Sequence, residues 1–272
     1  VLTALLEAGS GPMEEGLLQE LKHIPDERAA AAMLKIALDE QRENPLRTQA
    51  IVSLDYQPGR FCAELAPLTG AADEALSLAA MRYLCRCGDD ETALAAGAAM
   101  VQTYPQSAAA EAWPLCRGEA RDRPASDAAW ETLADGGNAQ LGKWVFQSPQ
   151  AQCARCHKVD GWGGAFGPDL SNVGSSKSQK QLITAILQPS AEISPEWQGW
   201  YVTTREGETH FGRQIDVGFN DVELMNADSE FVTYPEPRSY GLAPASLMPE
   251  GLENALTKAE FRHLIAYLVS LK

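Results

Sequence analysis

Two cysteines separated by two residues and followed at once by a histidine, Cys153-Ala154-Arg155-Cys156-His157, constrain this chain more than any other feature. Two thiols on one helical turn can add to the two vinyl groups along one side of a porphyrin. The next residue then points its imidazole back at the iron. The spacing predicts one covalently attached c-type haem, with thioethers at Cys153 and Cys156 and His157 as the proximal ligand. A bare Cys-x-x-Cys also suits thioredoxin-like redox work or half of a zinc site, but neither explains the adjacent histidine. No second cysteine pair follows downstream to complete a zinc site.

The neighbouring residues fit that reading. Gly167-Pro168-Asp169-Leu170 follows ten residues after His157, where a loop can set a backbone carbonyl against the far imidazole nitrogen and raise the ligand's basicity. Leu247-Met248-Pro249 lies in a loop before the last helix, and the Met248 thioether is the expected sixth ligand. His210, beside a hairpin turn and read as solvated, and His263, off the apolar stripe of the last helix, are its rivals; an open or water-bound position is the remaining alternative. Met13, Met33, Met81 and Met100 read as core of the first half, and Met225 as strand packing. Leu182, Ile183, Ile186 and Leu187, with the terminal helix, are expected to wall the pocket. The Gly161–Phe166 loop lies near the attached edge. Trp162 and Phe166 either pack on the porphyrin or pad the solvent side.

The two halves differ in texture. Residues 1–135 are rich in Ala and Leu, with apolar positions at three- and four-residue spacing in segments broken at Pro25, Pro45, Pro58-Gly59, Gly70, Gly88 and Pro105. Segments starting at Pro45 and Asp73 begin 28 residues apart, near the period of helical repeats. A HEAT-like α-solenoid is expected, with an irregular helical bundle as the alternative. The polar stretch Arg117–Pro124 and Asp135-Gly136-Gly137 place a boundary near residue 136. Beyond it, residues of about 195–240 alternate like strands, with turns at Glu206-Gly207 and Asn226–Ser229, and read as a small antiparallel β insert. Thr257 and Glu260 form a capping box for a last helix faced by Phe261, Leu264, Ile265, Leu268 and Leu271. The fold class expected is mainly α.

Composition narrows the partners. With 22 Lys+Arg against 37 Asp+Glu the net charge is −15, which disfavours nucleic acid and favours a basic redox partner. No window approaches the ~20 apolar residues of a membrane span. The chain opens on Val1 and reads as a processed chain or a piece of a longer one. No G-x-S-x-G or H-E-x-x-H appears, so the chain reads as an electron-transfer module without a catalytic site of its own. Cys62, Cys85, Cys87 and Cys116 fit no metal spacing and read as buried free thiols. A Cys62–Cys85 disulfide is the alternative, since Cys85 and Cys87 face apart and cannot bridge each other.

Gly142 and Phe146 in a first helix, Cys-x-x-Cys-His, Gly-Pro-x-Leu, Met-Pro, and Leu264 with Tyr267 in a last helix resemble the class I cytochrome c plan. The runs Cys-Ala-Arg-Cys-His-Lys-Val, Gly-Pro-Asp-Leu-Ser-Asn-Val-Gly, Ile186-Leu187-Gln188-Pro189-Ser190 and Ser-Leu-Met-Pro-Glu-Gly-Leu are similar to the haem-binding domain of Planctomycetes and Verrucomicrobia. That resemblance covers about 138–272. It implies a cytochrome c fold over 136–272 and a place behind HEAT-like repeats in a large membrane-bound dehydrogenase. One departure matters: His157 and Met248 are 91 positions apart, and the β insert accounts for the excess length. The implied role is single-electron relay outside the cytoplasm, in the periplasm or its equivalent. The competing roles are a haem enzyme or gas sensor with an open sixth position, or an interaction module stapled by haem.

Overall fold

The computed structural model describes residues 12–117, 124 and 126–272, so the expected linker Arg117–Pro124 lies, except at its two ends, outside the described residues. The chain forms two compact units: Val1–Pro124 with Lys143–Gln150 and Leu256–Phe261, and Ala125–Gly142 with Ala151–Ala255 and Arg262–Lys272. The main stretch of the first unit ends at Pro124, ahead of the boundary expected near residue 136.

The first unit is helical: α1 (Pro12–Leu21), α2 (Glu27–Leu38), α3 (Asn44–Leu54), α4 (Cys62–Leu65), α5 (Glu74–Leu84), α6 (Glu91–Thr103) and α7 (Ala108–Cys116). Short side chains start the helices where the punctuation places them. Asp73, Asp90 and Ser107 accept from Leu76, Ala93 and Ala110 at 2.9, 2.9 and 3.1 Å, which satisfies donors that the first turn leaves open. α3 is buried from Arg47 to Leu54 and α5 from Ala75 to Leu84. A helix buried all round is a central one; α3 packs against α2 and α5, and α5 against α7. Arg47, buried on α3, donates to the Ala37 carbonyl on α2 and to Asn44. Met33, Met81 and Met100 are core as expected, whereas Met13 is 60% exposed, because it falls on the outward side of the first turn of α1.

The four scattered cysteines are not free thiols. Cys62 pairs with Cys87 and Cys85 with Cys116, at Cα separations of 6.1 and 5.3 Å. Cys85 caps the C-terminus of α5 and Cys87 lies in the turn beyond it. The opposed directions that prevent them from bridging each other send one thiol to α7 and the other to α4.

Asp55, the residue after α3, is a buried carboxylate. Gln150 Nε2 donates to its Oδ2 at 2.6 Å, and Arg86 Nε lies 3.6 Å from its Oδ1. Burial pushes the carboxyl up to about 6 from 3.8, against the pull of Gln150, Arg86 and Arg82.

The second unit contains α8 (Asp127–Leu133), the start of α9 (Ala139–Gln147), α10 (Cys153–Cys156), a two-stranded ladder of β1 (Lys158–Val159) with β2 (Trp162–Gly163), α11 (Val173–Ser176), α12 (Gln179–Leu187), and the end of α13 (Lys258–Ser270). Ser178 and Gln181 form a reciprocal capping box on α12. The expected β insert of 195–240 is a five-stranded antiparallel sheet of β3 (Trp200–Thr203), β4 (Thr209–Val217), β5 (Asp221–Met225), β6 (Phe231–Pro235) and β7 (Ser239–Leu242), in the order β6-β5-β4-β3-β7. β4 pairs with β3 over Thr209–Gly212 and with β5 over Arg213–Val217, with a register shift between Gln214 and Asp216 in the pairing with β5. One face carries its own small core of Val202, Val222 and Leu224, flanked by Trp200, Val217 and Tyr234. His210, just past the turn into β4, is half-exposed, its ring 4.9 Å from that of Tyr234. Phe219 and Phe231 are exposed.

Two outcomes follow. Replacing Cys85 and Cys116 by Ser is expected to lower unfolding stability in urea by about 3 kcal/mol, the closure entropy of a loop this long. For Asp55, the folded carboxyl takes up its proton at higher pH than the unfolded one. Acidification from pH 7 to pH 4 therefore stabilises the parent relative to Asp55→Asn by about 2 kcal/mol, and that gain is lost as pH rises through 6. Urea titrations of both proteins at pH 7 and pH 4 check it; a constant difference between them contradicts the assignment.

Candidate functional site

The site is built on α10, a single turn entered through Gln152 in a left-handed conformation (φ 57°) and closed by the His157 N–H donating to the Cys153 carbonyl at 2.9 Å. Cys153 and Cys156 are free, unlike the four cysteines of the first unit. Both are half-buried; burial pushes the Cys153 thiol up to about 12 and raises Cys156 as well, so both are neutral thiols at neutral pH.

The chain after α10 wraps back on it. Gly164 and Gly167 donate to the carbonyls of Ala154 and Cys156 at 2.9 and 2.7 Å, and Leu170 donates to Lys158 at 2.8 Å. This brings the Pro168 carbonyl 2.9 Å from His157 Nδ1. A carbonyl only accepts, so Nδ1 carries the hydrogen and the Nε2 lone pair is left to bind a metal. Burial lowers the pKa of the imidazole, opposed by that hydrogen bond, which keeps the ring in the neutral form that ligates. Gly167 lies flat on the ring: a Cβ there would sit 2.5, 2.7 and 3.0 Å from Cε1, Nδ1 and Nε2. Only glycine permits this approach.

The remaining candidates are placed as follows. Phe166, Leu182, Ile183 and Ile186 are buried, Leu170 and Pro168 half-buried, and Trp162 is 42% exposed on β2. Leu247 packs over Gly199, where a Cβ would come within 2.6 Å of it. Met248 is half-buried, and its N–H donates to Ser246 Oγ at 3.1 Å. The Ser246 N–H in turn donates to Ser190 Oγ at 3.2 Å, so the Met248 loop is held beside the chain leaving α12. His263 lies on α13. It is buried, and its Nδ1 accepts from the Asn138 N–H at 3.0 Å, at the entry to α9. Nearby, a Cβ on Gly142 would collide with the His263 carbonyl and lie 2.6 Å from the Tyr267 Cβ, so α9 and α13 cross at Gly142.

Several contacts at the site had no sequence signal. Arg155, inside the Cys-x-x-Cys segment, donates twice to Asp228 Oδ1 at 3.0 and 2.6 Å. Arg213 on β4 donates to the carbonyl of Ala165. Neither partner is near in sequence.

The donor set fits a covalently held haem. Two free thiols sit on one turn beside a neutral imidazole whose orientation is fixed by a carbonyl and a glycine. Among the described residues, no three His, Cys, Asp or Glu side chains converge as they would to hold a bare metal ion. Gly167→Ala is expected to displace the His157 ring and cut the yield of haem-bearing protein severalfold in haem-stained gels. Gly70→Ala, with open space around it, leaves the yield unchanged.

No curated protein matches the chain. A family model described as Cytochrome c matches residues 139–210, from α9 into β4, which takes in Cys153, Cys156, His157 and the Gly167–Leu170 loop but stops short of Met248. The match supports a c-type cytochrome carrying covalent haem.

Proposed function

We propose that the chain is a mono-haem electron carrier whose iron is held by His157 and Met248. The reading rests on one observation above all: the His157 imidazole, one residue beyond two free thiols, is locked in the tautomer that offers Nε2. A bound haem supplies a one-electron couple. The protein's own residues do the rest. Cys153 and Cys156 would anchor the haem, the Pro168 carbonyl orients the His157 ring, and the soft thioether of Met248 would serve as a second ligand that raises the potential. Leu182 and Ile186 exclude water from the pocket, with Phe166, Leu170 and Leu247 completing its apolar lining, and Trp162 remains at the exposed margin. Filled axial positions leave no room for substrate, so relay is favoured over catalysis.

The setting belongs to the same proposal. Two disulfides in the first unit suit an oxidising compartment, and covalent haem attachment is an extracytoplasmic process, so we place the chain in the periplasm or its equivalent. Among the described residues, no helix is long and apolar enough to cross a membrane. The net charge of −15 suits a basic docking face on the partner. Similarity to dehydrogenase-linked haem domains makes an upstream dehydrogenase the natural donor. Residues 1–135 read as a HEAT-like spacer or docking element, supported by the central placement of α3 and α5.

Absorption spectra of the purified protein, oxidised and reduced, test the reading. Low-spin spectra with a far-red sulfur-to-iron band, inertness to carbon monoxide, and loss of that band in Met248→Ala are expected. A high-spin reduced form that binds carbon monoxide rapidly points to a gas sensor or haem enzyme and overturns it.

A further inference from the structure

Arg213 lies 56 residues beyond His157, on the second strand of the β insert, yet it touches the loop that orients the proximal ring. Its Nη1 donates to the Ala165 carbonyl. Three residues on, the Pro168 carbonyl accepts from His157 Nδ1 at 2.9 Å, and between the two Gly167 presses on the ring. The guanidinium is itself immobilised. It stacks on Trp197 with its carbon 4.4 Å from the ring centroid, on the 3-10 turn that leads into β3. A second tether grips the same region from another part of the insert: Asp228, in the β5–β6 turn, holds Arg155 inside the Cys-x-x-Cys segment. The β5–β6 turn is stiffened in turn by Asn226, whose side chain accepts from the N–H groups of Asp228 and Glu230. Thus one arm of the insert holds α10 and the other holds the loop that folds back on it.

We infer that Arg213 is a positioning residue for His157, through which the β insert sets the strength of the proximal Nδ1–H bond. This rests on the haem reading above. A short bond makes His157 a more basic ligand and favours the oxidised form. Releasing Ala165 lets the Phe166–Pro168 loop relax, weakens the bond and raises the reduction potential. The Asp228–Arg155 pair is solvent-exposed, with side chains 61% and 50% accessible, and contributes little by itself. Arg213, half-buried and stacked, carries the effect.

The test compares haem-bearing parent, Arg213→Gln, Arg213→Lys and, as a control on the same insert, Arg238→Gln. Midpoint potentials come from optical redox titration, and the His157 ring N–H is followed by proton NMR in the reduced state. The oxidation equilibrium of Arg213→Gln is expected to shift at least threefold toward the reduced form, about 28 mV upward at 59 mV per decade for one electron. The ring N–H exchanges faster with solvent. Arg213→Lys retains a donor for the carbonyl and lies between parent and Gln; Arg238→Gln matches the parent. Should Arg213→Gln not accumulate, a rise in the Lys variant above the parent supports the inference and its absence overturns it. Unchanged potential and exchange in Arg213→Gln, with a normal low-spin parent, overturn the positioning role and leave the electron-carrier reading intact. A parent without a low-spin spectrum overturns that reading instead.

Discussion

The hydrogen bond from His157 Nδ1 to the Pro168 carbonyl is the constraint on which the rest of the site depends. It selects the tautomer, fixes the ring plane and leaves the Nε2 lone pair open to a ligand role. Keeping it requires the chain after α10 to turn back within eleven residues, which Gly164 and Gly167 make possible by donating to carbonyls of α10 itself. Gly167 serves a second purpose, since any side chain there would push the imidazole aside. Sequence, backbone and ligand chemistry therefore meet in one short loop.

The first unit shows a different economy. Its small helices bury much alanine, and Ala contributes little apolar area per residue. Two disulfides cross-link the ends of α4, α5 and α7. Buried charges are held by paired geometry: Arg82 Nε lies 2.7 Å from Glu260 Oε1, and Glu260 also accepts from the Thr257 N–H at 2.7 Å. Such a pair adds little net stability over apolar packing, but losing one partner strands the other. Arg82 and Glu260 are 178 positions apart and both belong to the first unit, so the N-terminal cap of α13 is secured by α5.

Local signals were the legible ones. The Cys-x-x-Cys-His turn, the carbonyl partner of His157, the capping box of α13, the helical first half and the β insert all follow from spacing or periodicity within about a dozen residues. What failed was long-range or directional. The thiol pairing of Cys62 with Cys87 and Cys85 with Cys116 depends on where α4, α5 and α7 end in space, which periodicity does not encode. β7 escaped notice because Ser239–Leu242 has no alternating pattern and gains its place by pairing back to β3. His263 lies off the apolar stripe of α13 yet is buried, because the α9 entry covers that side. Arg213 and Asp228 look like ordinary surface charges until their partners are seen.

Intact mass of the purified chain, obtained from cells that attach haem to exported proteins, bears most directly on this account. The account predicts the mass of the chain plus a single haem, less four hydrogens for the two disulfides, and no addition when Cys153 and Cys156 are both replaced by Ser. A bare chain mass in the parent, or haem that dissociates on denaturation, contradicts it.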